Sequence, residues 1–359
     1  MSDTRRMIED SVTRLFAGQF TPTELARFDR DGPSAAAWQA CADLGLDRAL
    51  LPEEKGGIGA VPSDVFSIAY AAGYHAAGVG VVDTLMAGWL LARAGMTPPA
   101  GPGVLIDASD SAQPLRFHHE DGQPVTVRGD VKVCWAGPAE WGVAAQCSGG
   151  VCNVYLVGLK PADGVIKQAW LNMAREPSAR LTFSNTPVQA VGTLAVTDGI
   201  NPVRLVGAQA RSAQISGTLQ RVLDLTIQYA GERVQFGKQL GQNQVIQHML
   251  ATLAGHVAAS RVAALAAWSG NADSSFDIAV AKARCSDAAG LAAGVAHQVH
   301  GAIGFTHEHT LGFYTRRLWS WRAEFGSDAW WGAELGRQAI AAGKARFWAS
   351  LVSRQWPDA

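Results

Sequence analysis

Apolar positions in the first hundred residues recur at helical spacing. Ile8, Val12, Leu15 and Phe16 are separated by steps of one, three and four and fall on one face, which predicts a first helix. A second helix is expected over Ala35 to Leu44, and Pro and Gly then break the pattern at LPEEKGGIG (51–59). From Val65 to Gly95 the chain is mostly apolar and Ala-rich, but His75 and Asp83 interrupt it and Gly recurs. That predicts a buried helix pair and no membrane span, ending before the turn cluster TPPAGPG.

The period changes between about 103 and 197. Short runs rich in Val, Leu and Phe sit between Gly, Asp, Asn and Pro, and VTVRG, DVKVCWAG, VCNVYLVG and ARLTFSN read as strands. Helical spacing then returns over 202–232, 242–269, 276–303 and 327–350, each long enough to cross a bundle, with short polar loops such as GNADSSFD between them. The expected fold is α+β, mainly α: an N-terminal helical domain (1–102), a small middle β domain (103–198) and a C-terminal four-helix bundle (199–359).

Composition narrows the function classes. Of 359 residues, 48% are hydrophobic and 17% charged, so the chain is globular, and a net charge of −1 gives no reason to expect nucleic acid or an anionic membrane. The five cysteines (Cys41, Cys134, Cys147, Cys152, Cys285) show no metal-ligand spacing and suggest no disulfide framework, and no metal is expected. The opening MSDTRRMIEDSVTRLF has acidic residues and no apolar signal core, so a cytoplasmic location is expected.

Chemistry concentrates in the bundle. In YAGERVQFGKQLGQNQVIQH (229–248) a helix ends at Arg233, Phe236-Gly237 turns the chain, and Gln244 starts the next helix. A glycine that permits close backbone approach beside a helix N-terminus and an arginine suits a pyrophosphate; a helix hairpin with a solvated arginine is the plainer alternative. In HQVHGAIGFTHEH (297–309), Gln298, Gly301 and Gly304 leave a bare backbone at a helix end, which fits a nucleotide or a simple C-cap. His300, His307 and His309 read as surface histidines. In FYTRRLWSWRAEFGSDAWW (313–331), Arg316, Arg317 and Arg322 either line a phosphate entrance or form a solvated helix end, and the tryptophans read as core.

Taken together, RxxFG, a Gln seven residues past that glycine, and QxxGxxGF some fifty residues later resemble the acyl-CoA dehydrogenases. The N-terminal phrase DLGLDRALLPEEKGGIG (43–59) is similar to that family's early helix-turn. The resemblance implies an FAD held between two subunits, with Arg233, Phe236, Gly237, Gln244, Gln298, Gly301 and Gly304 serving the pyrophosphate and adenosine of a neighbour's cofactor and Ser327 lying in the loop beside the flavin. It also implies an acyl-CoA substrate, α,β-dehydrogenation, electron-transfer flavoprotein as acceptor, and a dimer or tetramer with itself or a second acyl-CoA dehydrogenase subunit.

Other positions depart from the family pattern. Where the family places an aromatic and a flavin-contacting threonine, alignment on Lys132 gives Cys134 and Ala136. The family's glutamate base falls at Phe325, with Glu324 one place early as the candidate base; the other place used by relatives falls at Gly207. The expectation is a partner subunit lacking the usual base, as in the heteromeric enzymes acting on steroid side chains. The alternatives are a homomeric dehydrogenase using Glu324, a flavin monooxygenase on the same scaffold, and a non-catalytic helix-bundle protein.

Overall fold

Capping residues set where the first helices begin. Thr21 accepts from Glu24 N–H ahead of Pro22, and Ser34 accepts from Ala37 N–H, satisfying backbone donors that have no partner inside the helix. They open α2 (Pro22–Asp31) and α3 (Ala35–Asp43), which follow α1 (Asp3–Gln19). The computed structural model describes residues 3–109, 114–120, 125–196, 199–235, 237–269, 275–306 and 308–354.

The apolar run from Val65 forms the expected helix pair, α4 (Pro62–Tyr74) and α5 (Val81–Arg93), both buried along most of their length. Two glycines let α4 lie backbone to backbone on α6 (Pro202–Glu232). A Cβ at Gly73 would stand 1.8 Å from Gln214 O, and one at Gly217 would stand 2.0 Å from Tyr70 O. The long α6 is the spine of the molecule, buried from Pro202 through Leu219.

Among the described residues the β region forms two four-stranded sheets. One runs β1 (Gly103–Leu105), β4 (Trp141–Ser148), β5 (Val151–Gly158), β8 (Ala190–Ala195); the other runs β2 (Arg116–His118), β3 (Thr126–Val133), β7 (Pro177–Pro187), β6 (Ile166–Leu171). Their facing side chains, among them Val131, Tyr155, Val157, Leu181 and Phe183, close a second core. VTVRG and DVKVCWAG are parts of one strand, β3, which passes through Gly129 without turning. The short β1 and β2 and the exposed β6 carry too little alternation to be read beforehand. The absence of a disulfide also needs correcting: Cys147 and Cys152 stand opposite each other across the β4–β5 hairpin, Cα to Cα 3.9 Å, and are bonded.

The C-terminal region is helical: α6, then α7 (Gln244–Ser269), α8 (Ser275–His300), α9 (Leu311–Trp321) and α10 (Asp328–Ser353). The short α9 was legible only as an arginine-rich segment. Among the described residues α7 alone is long and apolar enough to cross a membrane, yet only 22% of its most apolar window is buried in this chain. Val245 and Val262 stand exposed on it.

Candidate functional site

Two regions collect the chemistry, at opposite ends of α6 and α8. At the first, α6 stops at Glu232 and Arg233 leaves the helix in extended conformation. The two-residue ladder of β9 (Val234–Gln235) and β10 (Lys238–Gln239) then reverses the chain around Gly237, whose φ of +79° favours glycine. Arg233 O accepts from Leu240 N–H at 2.9 Å, and α7 begins at Gln244, as expected. Phe236 lies outside the described residues.

The same end receives the last turn of α8. Gly301, at φ +63°, bends the chain into a 3-10 turn, and Gly304 is tight: a Cβ there would lie 3.0 Å from His300 Cβ. Tyr229 of α6 stacks on His300 of α8 at 4.4 Å between ring centres, which brings the two motifs side by side. Arg233, Gln244, Gln298 and Gly301 are all exposed. The surface reading of the histidines fails for His300, which is buried beneath that stack and donates from Nδ1 to Ala296 O at 2.7 Å. Burial pushes its imidazole down to about 4, so it is neutral at physiological pH. His309 is half-buried and accepts from Leu311 N–H, and His307 lies outside the described residues.

At the other region all three parts of the chain meet on a buried arginine. Arg211 of α6 grips Asp83 of α5 with two hydrogen bonds (3.1 and 2.9 Å), donates from Nε to Glu324 Oε2 at 2.7 Å, and reaches Gln214 at 2.6 Å. Burial opposes its charge, but Asp83 and Glu324 outweigh burial and keep the guanidinium protonated. Ser320 Oγ donates to the other Glu324 oxygen. A second charged centre lies against the first. Glu176, fully buried, accepts from Trp321 Nε1, Asn172 and the Cys134 thiol, with Arg317 Nε at 3.8 Å.

Cys134, Glu176 and Glu324 place their ligand-type atoms within 4.8 Å of one another, the one such group among the described residues. Burial and the two carboxylates raise the Cys134 thiol well above its usual value, so it remains a hydrogen-bond donor. Arg211 and Asp83 were each legible as a charge inside an apolar helix; two such charges of opposite sign are the cue for a buried pair. The phosphate-entrance reading of α9 gives way in part: Arg317 is buried, Arg316 pairs with Asp29, and Arg322 lies 3.5 Å from Asp328. Of the tryptophans read as core, Trp321 and Trp331 are buried, Trp330 is half-buried, and Trp319 is exposed.

Sequence profiles of the acyl-CoA dehydrogenase N-terminal and C-terminal domains match residues 2–97 and 195–340. The chain belongs to the acyl-CoA dehydrogenase family. It is 24% identical to acyl-CoA dehydrogenase IpdE2 of Mycolicibacterium smegmatis, over 88% of this chain and 93% of that protein. Its fold matches the ChsE4-ChsE5 complex of Mycobacterium tuberculosis with a TM-score of 0.84 at 20% identity, covering 96% of this chain and 99% of that one. The Tcur3481-Tcur3483 steroid ACAD matches with a TM-score of 0.82 at 22% identity, covering 95% and 98%.

Acyl-CoA dehydrogenases are oxidoreductases acting on CH–CH bonds, and family members use FAD. The two regions of this acyl-CoA dehydrogenase fit that cofactor differently. The exposed arginine, the helix N-terminus at Gln244 and the glycine turns suit a pyrophosphate and adenosine. The positions that the resemblance sets against the flavin do not suit a ring: Ala136 is fully buried, its carbonyl accepts from Lys167, and Cys134 points its thiol at Glu176. Ser327 spends its hydroxyl capping α10, where it accepts from Trp330 N–H.

Gly207 and Phe325, the two positions at which the resemblance would place a base, come together here. A Cβ at Gly207 would lie 2.3 Å from the Phe325 ring, so Phe325 fills the hollow over Gly207. Phe325 has φ +55°, a left-handed backbone that turns its ring inward while Glu324 faces Arg211.

Proposed function

We propose that this chain is the nucleotide-supplying subunit of a heteromeric acyl-CoA dehydrogenase and lacks the usual catalytic glutamate. The observation that carries the reading is the Phe325 ring seated on Gly207, an apolar contact where the family's proton acceptor is expected. A base must lie within hydrogen-bond reach of the substrate's α-proton, and Glu324 is instead held by Arg211 Nε and Ser320 Oγ. Bound FAD would accept the β-hydride of the acyl thioester. In this reading Arg233, Gln244 and Gln298 hold the phosphate and adenosine of a flavin whose ring, base and acyl pocket belong to the partner. Val234, Val245 and Phe305, exposed around the same end, are the apolar surface that the partner covers.

Likeness to the ChsE4-ChsE5 complex supports a two-subunit assembly, and likeness to the Tcur3481-Tcur3483 steroid ACAD supports a steroid-bearing acyl-CoA as substrate class. Electron-transfer flavoprotein is the acceptor we assign. The test is to purify the chain alone and together with a base-bearing acyl-CoA dehydrogenase encoded beside it. The lone chain is expected to be colourless and inactive, and the pair yellow and active. A yellow, active lone chain that loses turnover on Glu324→Gln would instead establish the homomeric dehydrogenase.

A further inference from the structure

We infer that Lys282 is a positioning residue that pins the turn from Arg322 to Gly326, and through it the ring of Phe325 against Gly207. Lys282 sits on α8 and is completely buried. Its Nζ reaches Arg322 O at 3.0 Å, Gly326 O at 2.7 Å and Ser286 Oγ at 2.9 Å. The two carbonyls lie on either side of Phe325 in the chain, and Phe325 O itself accepts from Trp331 Nε1 at 2.9 Å. Buried donors thus hold the turn on both sides of a residue whose φ of +55° a non-glycine side chain resists. Without the amine, two interior carbonyls would lose their donor.

No carboxylate is among the hydrogen-bond partners of this lysine in the described residues. Burial pushes its amine down to about 7. Glu324 in the turn, Cys285 on α8 and Asp328 on α10 pull it back up, while Arg211 on α6 adds to the fall. A neutral amine still satisfies the site, because it donates two hydrogens to the carbonyls and accepts one from the Ser286 hydroxyl. The pin therefore works by hydrogen bonding in either protonation state. It holds the turn whether or not the chain works beside a partner, so its failure and that of the heteromer reading are separable.

Folding lowers the affinity of this amine for its proton, so between about pH 7 and the unfolded value of 10.5 the unfolded chain binds more protons than the folded one. Its contribution to stability rises with pH across that window and is flat below it. The experiment compares the full chain with Lys282→Met and Ser286→Ala. Amide exchange at residues 323–327 is expected to quicken about tenfold or more in Lys282→Met and to stay unchanged in Ser286→Ala, which keeps both carbonyl bonds. The gap in melting temperature between wild type and Lys282→Met is expected to widen from about pH 6 to about pH 9. A turn equally loosened by both variants, or a gap that does not move with pH, overturns the inference. If Lys282→Met does not fold, lysine side-chain NMR of the wild type decides: Nζ hydrogens protected from solvent exchange, as two bonds to interior carbonyls require, support the pin, and unprotected ones overturn it.

Discussion

Arg211 lies within α6 and Arg233 directly after its last residue, and they do opposite things. About 33 Å of α6 separates them at the usual helical rise. Arg211 is fully buried, and its carboxylate partners come from this chain's own α5 and the turn after α9; Arg233 is exposed at the helix end, among exposed Gln244, Gln298 and Val234. α8 repeats the contrast, with buried Lys282 tying down a turn near one end and exposed Gln298 near the other. Around Arg211 the charged groups pair with one another inside the chain, and around Arg233 the polar side chains face outward. A site completed by another molecule must leave its donors accessible, whereas a polar cluster with no ligand to serve is stable only if its members satisfy each other.

The contrast predicts where a substitution is felt. Arg211→Met leaves buried Asp83 and half-buried Glu324 without their cation and should cost about 3–5 kcal/mol of stability, read by chemical denaturation. Arg233→Ala should change the same measurement by less than about 0.5 kcal/mol. Equal costs would break the comparison. At the outward end the effect moves to binding. Arg233→Ala should weaken FAD retention by the assembled complex roughly ten- to a hundredfold, the worth of one charge-assisted contact, measured by flavin release on dilution. If Arg211→Met releases flavin as readily while the complex stays folded, the assignment of the two ends is wrong.

The Phe325–Gly207 contact sharpens the comparison further. Gly207→Ala alone should destabilise by about 1–3 kcal/mol because its Cβ meets the ring, and in a Phe325→Ala background that penalty should vanish. Additive effects would mean the ring does not fill the hollow. The smallest effect is at Gly301. Its φ of +63° sets the bend after α8 and no atom lies within 4 Å of an added Cβ, so Gly301→Ala should cost about 1 kcal/mol by backbone strain alone. A larger cost would place a contact there that the isolated chain does not have.

Much of the fold follows from local pattern. The four-residue spacing of Ile8, Val12 and Phe16, the apolar run of α4 and α5, and the bounds of α6 were readable because each reflects a helix burying one face or all of itself. The outward motifs were readable for a similar reason: Arg233, Gly237 and Gln244 lie within twelve residues, so their juxtaposition is set by one turn. The edge strand β6 escaped because its side chains face solvent and need not alternate, and the Cys147–Cys152 bond because only the hairpin register sets the two side by side.

The inward cluster could not be read in the same way. Asp83, Glu176, Arg211, Lys282 and Glu324 are spread over more than two hundred residues, and their partners are fixed only when α5, the β sheets, α6, α8 and the turn after α9 pack together. A charge in an apolar helix announces that it needs a partner but not which one. By itself the sequence determined the family, the order of the helical, β and helical regions, and the one turn that gathers Arg233, Gly237 and Gln244. Tertiary structure alone decided that Glu324 faces Arg211 and that Phe325 covers Gly207, because a left-handed turn held by distant donors controls which way two adjacent side chains point.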